Sequence, residues 1–209
     1  MMYVHKTPAF VKALFPAVVW SMKGVINKIY LTFDDGPDPA ITPEILSILK
    51  EKEVKATFFL VGGNVGKQPE IVKDILESGH TVGNHTFSHM MGWKSNASAY
   101  LRDTDLCQQK LEEHGVTRKL FRPPYGKLTP GQWNGLNRKA YEVVMWDVLS
   151  GDFDQKLSAE HCLKATTQAT AGGSVVVFHD NAKFKEKVLR VVPEYIDYFL
   201  DREYSFETL

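Results

Sequence analysis

The chain has 209 residues, a length that suits one compact domain, and its 44% hydrophobic and 24% charged residues are ordinary for a globular protein. Lys+Arg and Asp+Glu balance at 25 each, which argues against a nucleic-acid binder and leaves a neutral ligand such as a sugar open. The two cysteines, Cys107 and Cys162, are too few for a disulfide framework and stand in no metal-type pair, so they read as buried thiols.

Residues 1–28 come first. An apolar run from Ala13 to Trp20 follows Lys6 and Lys12, is interrupted by Pro16 and is far too short to span a bilayer. No small-residue cleavage site of the secretory kind precedes Lys23. This stretch is expected to pack as an N-terminal segment on the body of the fold formed by residues 29–209. The whole then makes a single domain over 1–209. No transmembrane segment is expected, and a cytoplasmic location is the default, with an extracytoplasmic one left open.

From residue 29 onward, short β-rich runs alternate with helical stretches. Ile29–Phe33 reads as a strand and Pro43–Lys52 as a helix with Ile45, Leu46, Ile48 and Leu49 on one face. Ala56–Val61 is a second strand, Glu70–Glu77 a helix closed by Ser78-Gly79, and His80–Gly83 a third strand. A longer helix over 97–114 ends at Gly115. Lys119–Arg122 is a short fourth strand, Gln132–Lys139 a brief helix and Tyr141–Trp146 a fifth strand. Ser158–Ala171 is a helix with Ser158 as N-cap, Ser174–Phe178 a sixth strand and Lys185–Asp201 the last helix.

This succession predicts an α/β fold with a mainly parallel sheet. Pattern alone does not separate an open doubly wound sheet from a closed barrel. The unusual polar clusters, however, fall where strands end: Asp34-Asp35, His85, Arg122 to Gly126, Asp152 and His179. Five strands contributing to one rim fits a barrel, whose catalytic groups gather at the C-terminal strand ends. A full eight-unit barrel needs about 250 residues, so a distorted, reduced (β/α) barrel is expected.

The clusters suggest chemistry. Asp34 and Asp35 precede Gly36-Pro37, and two like charges so close are costly unless a cation compensates, which points to a metal or an arginine nearby. An acidic helix-entry turn is the plainer alternative. His85 and His89 are four apart, a spacing that places two imidazoles on one side of a helical turn. With one carboxylate they make a site for zinc, iron, cobalt or nickel. Met90, Met91 and Trp93 follow and are expected to dry one wall. In Arg122-Pro-Pro-Tyr-Gly126 the prolines remove two N–H donors and leave the Tyr125 N–H at a rigid bend, where it suits a developing oxyanion. Arg122 can hold a carboxylate through paired hydrogen bonds. His179 ends a very apolar strand, and Asp152 could bond its second nitrogen, raise its pKa and fix its tautomer if strands five and six share a rim. His5, His114 and His161 read as surface or capping groups, and His80 as structural.

Taken together and in this order, Thr32-Phe-Asp-Asp-Gly-Pro37, His85-Thr-Phe-Ser-His89, Arg122-Pro-Pro-Tyr-Gly126 and the strand-ending His179-Asp180 resemble the polysaccharide deacetylase family, carbohydrate esterase family four. That family includes chitin, chitooligosaccharide and peptidoglycan N-acetylglucosamine deacetylases. The resemblance runs from about residue 29 to about residue 200 and implies a distorted barrel. It also implies hydrolysis of N-acetyl or O-acetyl groups from an acetylated carbohydrate, with release of acetate.

By the same resemblance Asp35, His85 and His89 would hold one divalent metal, usually zinc, with cobalt or nickel possible. Asp34 would be the general base, oriented by Arg122. The Tyr125 N–H would assist the oxyanion, and His179 would be the general acid, tuned by Asp152. Phe153, Pro123, Trp93 and Val177 would line the substrate pocket. The sequence departs from the family pattern in four places. Phe153 follows Asp152 where tryptophan is usual, and Leu149 replaces the usual first aspartate of that motif. Met90-Met91-Gly92-Trp93 follows His89 in place of proline, and Val177 replaces a leucine. A hydrolase of a non-sugar small-molecule amide and a catalytically silent sugar-binding relative remain the alternatives.

Overall fold

The computed structural model describes residues 4–209. Its strands are β1 (Lys28–Asp34), β2 (Thr57–Leu60), β3 (Thr81–Asn84), β4 (Leu120–Phe121), β5 (Glu142–Val143), β6 (Val148–Leu149), β7 (Val175–His179) and β8 (Ser205–Phe206). The helices are α1 (Ala9–Leu14), α2 (Thr42–Glu51), α3 (Gly62–Val65), α4 (Pro69–Glu77), α5 (Ala97–Glu112), α6 (Pro130–Arg138), α7 (Ala159–Ala169) and α8 (Lys185–Leu200).

The sheet runs β5-β4-β3-β2-β1-β7-β6 with every pair parallel, and β8 adds to the start of β1. β1 is the axis of the fold and is buried on both faces from Ile29 onward, as a parallel strand covered by helices should be. Its outward residues Ile29, Leu31 and Phe33 join Phe58, Val176 and Phe178 in the main core. Against that layer pack Ile45 and Leu49 of α2 and Val188, Val192, Tyr195, Ile196 and Phe199 of α8. The alternate residue Tyr30 packs with Phe59, Leu120, Val144 and Val175 in a separate inner cluster. Helix-facing and interior residues therefore alternate along each strand, as in a barrel.

The fifth strand differs from expectation. The run over 141–146 is not continuous: pairing stops after Val143 and resumes at Val148. Val144 N–H still bonds Phe121 O of β4, whereas Asp147 N–H bonds Val175 O of β7. One stretch of chain thus switches partners between the two ends of the sheet and curls it into the reduced barrel. The break frees carbonyls that need donors. Residues 5–22 supply some and accept others, through Thr7 N–H to Asp147 O, Val19 N–H to Val143 O and Met145 N–H to Val19 O. The buried Asp147 carboxylate also receives Lys6, Lys12 and Ser174 Oγ.

The short α1, α3 and β8 were not expected from the pattern, whereas Ser158 caps α7 by accepting from His161 N–H as read from sequence. Cys107 and Cys162 are free and buried. No helix among the described residues is long and apolar enough to cross a membrane.

Candidate active site

β1 and β7 are paired with Asp34 opposite His179. Side-chain alternation therefore brings a carboxylate and an imidazole to the same rim, on the face that carries Thr32 and Val177 one layer below. Every sequence-derived cluster is delivered to that rim by the C-terminal end of a strand or the loop that follows it.

Asp34 is buried and bonded by Arg122, whose Nη1 donates to Oδ1 at 2.6 Å. The guanidinium is fully buried. Nη1 also reaches Thr32 Oγ1 at 2.7 Å, Nη2 reaches Met145 O at 3.0 Å, and Nε reaches Val144 O at 3.4 Å. Phe59 lies under its plane at 4.1 Å from the ring centroid. Arg122 thus satisfies the carbonyls left open by the strand break while holding Asp34 in place. Thr32 and the break itself were not identified from sequence.

Asp35 turns away from Asp34 because its φ of 85° ends the strand. Its carboxylate lies 3.1 Å from His89 Nε2 and 3.7 Å from His85 Nε2. Asp35, His85 and His89 each offer a ligand atom within 4.8 Å of the others. His85 Nδ1 bonds Arg122 O at 2.8 Å, which fixes the proton on Nδ1 and turns the Nε2 lone pair toward Asp35. Burial lowers the His85 pKa to about 4, so the imidazole is neutral and ready to ligate at ordinary pH. Burial opposes the charge of Asp35, but the His89 bond and the surrounding imidazoles hold its carboxyl below the usual range. A carboxylate and two imidazoles with ligand atoms this close together fit a divalent cation with open positions.

The two histidines do not share a helical turn as their spacing suggested. Residues 85–91 are irregular, and Thr86 (φ 63°) and His89 (φ 55°) take left-handed conformations that bring the rings to a centroid separation of 5.1 Å. Gly62 and Gly63 donate their N–H groups to Thr86 O and Phe87 O. A side chain at Gly62 would meet Phe87 at 2.8 Å, so this close approach needs glycine.

His179 Nδ1 lies 2.8 Å from Asp152 Oδ1, and its N–H donates to Asp152 Oδ2 at 2.7 Å. Burial disfavours the imidazolium, yet Asp152, with Asp35 and Asp34 beyond it, raises the pKa to about 10. Ser150 Oγ donates to Asp152 at 3.0 Å, a role that sequence reading missed. Phe153 stands edge-on to the His179 ring at 5.4 Å and Phe184 at 6.0 Å, giving the acid an apolar surround. The neighbouring Asp180 faces away, accepting from Gly36 N–H and Thr42 Oγ1, and burial pushes its carboxyl well up.

Tyr125 follows Pro123 and Pro124 with φ 60°, and among the described residues its N–H has no acceptor. Its ring meets His89 edge-on at 4.8 Å. Pro123 is buried. Val177 is completely buried, because alternation puts it beneath the Asp34–His179 layer beside Thr32, and so does not face a pocket. Trp93 is 64% exposed; its indole N–H bonds Leu128 O and Lys127 lies over its ring.

A family model described as polysaccharide deacetylase matches residues 23–144. Peptidoglycan-N-acetylglucosamine deacetylase of Bacillus cereus is 29% identical over 195 residues, which cover 92% of this chain and 91% of that protein. Chitooligosaccharide deacetylase of Azorhizobium caulinodans is 32% identical over 157 residues, 74% of each chain. Among solved structures, a peptidoglycan N-acetylglucosamine deacetylase in complex with 4-naphthalen-1-yl-N-oxidanyl-benzamide matches with a TM-score of 0.89. It is 32% identical, with 97% of this chain and 95% of that chain covered.

Proposed function

The chain belongs to the polysaccharide deacetylase family, and we propose that it is a divalent-metal-dependent hydrolase that removes the acetyl group of an N-acetylated sugar or oligosaccharide. The observation that carries this reading is the meeting of three units at one rim: the Asp34–Arg122 pair, the Asp35–His85–His89 triad and the His179–Asp152 pair.

Asp35, His85 and His89 are the residues that hold the cation, with zinc the first choice and cobalt or nickel able to substitute. When bound, such a cation polarises the acetyl carbonyl and lowers the pKa of water. Asp34 accepts the proton of the attacking water, held in position by the Arg122 guanidinium. The Tyr125 N–H donates to the oxygen that gains charge as the carbonyl carbon becomes tetrahedral. His179 gives its proton to the sugar nitrogen as the C–N bond breaks, so that an amine rather than an amide anion departs. Acetate and a free amino sugar result.

The His179–Asp152 pair supplies what amide hydrolysis demands, because an amine leaves poorly unless protonated, a demand that an ester's alkoxide makes less strongly. The apolar surround from Phe153 suits an acetyl methyl. Acetate release from N-acetylated chitooligosaccharides, peptidoglycan fragments and acetylated xylan, with and without chelator, tests the proposal. Release from one of the N-acetylated sugars that stops on chelation and returns with zinc supports it. Release from acetylated xylan alone would overturn the N-acetyl assignment, and release indifferent to chelation would overturn the metal dependence.

A further inference from the structure

The segment that carries His85 and His89 lies outside helix and strand, so its shape must be imposed from outside. Thr86 and His89 hold left-handed backbone, a conformation that residues with a side chain adopt only when their surroundings demand it. The demand comes from two sides. The Gly62 and Gly63 N–H groups take the carbonyls of Thr86 and Phe87. Of the segment's own donors, Thr86 N–H goes to Asn84 Oδ1 and Met90 N–H to Thr86 Oγ1, while the middle pair, Phe87 N–H and Ser88 N–H, goes to one residue on α5, Asp103.

Asp103 is only 8% exposed. Its Oδ2 accepts Phe87 N–H at 2.9 Å and Ser88 N–H at 3.0 Å, while Oδ1 accepts Ser88 Oγ at 2.9 Å. Its own carbonyl shares the Phe87 N–H at 3.2 Å. Each side-chain bond runs into the carboxylate from a donor. An amide could still serve all three by accepting both N–H groups through its oxygen and donating its NH2 to Ser88 Oγ, whereas a methyl in its place leaves the three donors without a partner. The charge also shortens and strengthens the bonds.

We propose that Asp103 is a positioning residue for the cation site, fixing the backbone of residues 86–88 so that the imidazoles of His85 and His89 converge on Asp35. The inference rests on the reading that Asp35, His85 and His89 hold a divalent cation. Asp103 touches neither ligand side chain; it acts through the peptide groups between them. Loss of its carboxylate leaves the three ligands in the chain but widens the range of distances between their donor atoms.

Cobalt provides a probe that reads geometry as well as affinity. Metal-free wild-type protein, Asp103→Ala, Ser88→Ala and Asp147→Asn are titrated with Co(II) in competition with a chromophoric chelator, and the visible absorption of the bound cobalt is recorded. Asp103→Ala is expected to weaken cobalt binding about tenfold or more, the scale for partners that orient metal ligands, and to change the visible band. Ser88→Ala removes one bond and is expected to weaken binding by roughly threefold, a minor share of that scale. Asp147→Asn removes a buried carboxylate among Lys6, Lys12 and Ser174 and controls for lost stability; its cobalt affinity and spectrum are expected to match the wild type. Wild-type affinity and spectrum in Asp103→Ala overturn the proposal. If that variant does not fold, an unchanged Ser88→Ala does the same. Equal weakening in Asp147→Asn reduces Asp103 to a stability role. A wild type that takes up no cobalt refutes the cation reading itself, and this inference with it.

Discussion

Arg122 and Asp34 form an ion pair at 2.6 Å with both side chains out of solvent, and the same guanidinium closes the hydrogen bonding of a broken strand. The proposed general base is therefore oriented by the residue that completes the barrel, so catalysis and stability are coupled at this point. A buried pair adds little compared with a well-packed apolar pair, but removing one partner leaves an uncompensated charge and costs about 3–5 kcal/mol.

Arg122→Met is accordingly expected to lower the urea midpoint by an amount equivalent to that loss and to abolish acetate release. Arg122→Lys keeps the charge but cannot reach Asp34, Thr32 and the Val144 and Met145 carbonyls with one ammonium. It is expected to fold while losing most activity. Denaturation curves beside acetate assays separate the two effects; a fully active lysine variant would refute the orienting role.

The His179–Asp152 pair predicts a pH dependence. His179 must be protonated to serve as the acid, and its raised pKa of about 10 keeps it so through neutral pH. Asp152→Asn removes the chief attractive charge and leaves burial, which disfavours the imidazolium. The alkaline limb of the kcat profile is expected to move to lower pH. The same shift governs stability: a group whose folded pKa lies above its unfolded value of 6.5 stabilises fully below 6.5, and the contribution fades as pH rises toward 10. Asp152→Asn should therefore lose more stability at pH 6 than at pH 10. A kcat profile identical to the wild type would contradict the assignment of His179 as the acid.

Cation binding has a readout independent of turnover. A ligand that binds the folded state alone stabilises it by about 2.7 kcal/mol at a hundred times its dissociation constant. Zinc or cobalt should raise the melting temperature of the chelator-treated protein, and His89→Ala should abolish the rise. A rise of the same size in His89→Ala would place the cation elsewhere.

The site was more legible in the sequence than the backbone that shapes it. In a parallel barrel the C-terminal strand ends share one rim, so Asp34, His85, Arg122 and His179 could be grouped before their distances were known. The helical turn assigned to His85 and His89 failed because the spacing i, i+4 suits more than one backbone. What selects the observed one, Asp103 and the Gly62–Gly63 N–H groups, lies elsewhere in the chain. The strand break near Met145 was hidden because Tyr141, Val143, Val144 and Trp146 are β-prone on either side of it, and partner switching is decided by the sheet around it. Val177 was misplaced because the layer it occupies beneath Asp34 and His179 is set by the pairing of β1 with β7. Thr32 opens a motif and Ser150 stands two residues before Asp152, but neither shows its role in the pattern; those roles depend on hydrogen bonds that geometry alone reveals.

The most direct test of the account is acetate release by the wild type and by Asp34→Asn on the same N-acetylated oligosaccharide, each loaded with zinc and each shown to be folded. A general base contributes about 10²–10⁴-fold. Asp34→Asn should therefore bind the cation, remain folded although less stable for leaving the Arg122 charge unpaired, and lose activity by that factor. Equal acetate release from the two proteins would contradict the account at its centre, since Asp34 and its Arg122 partner would then be structural alone.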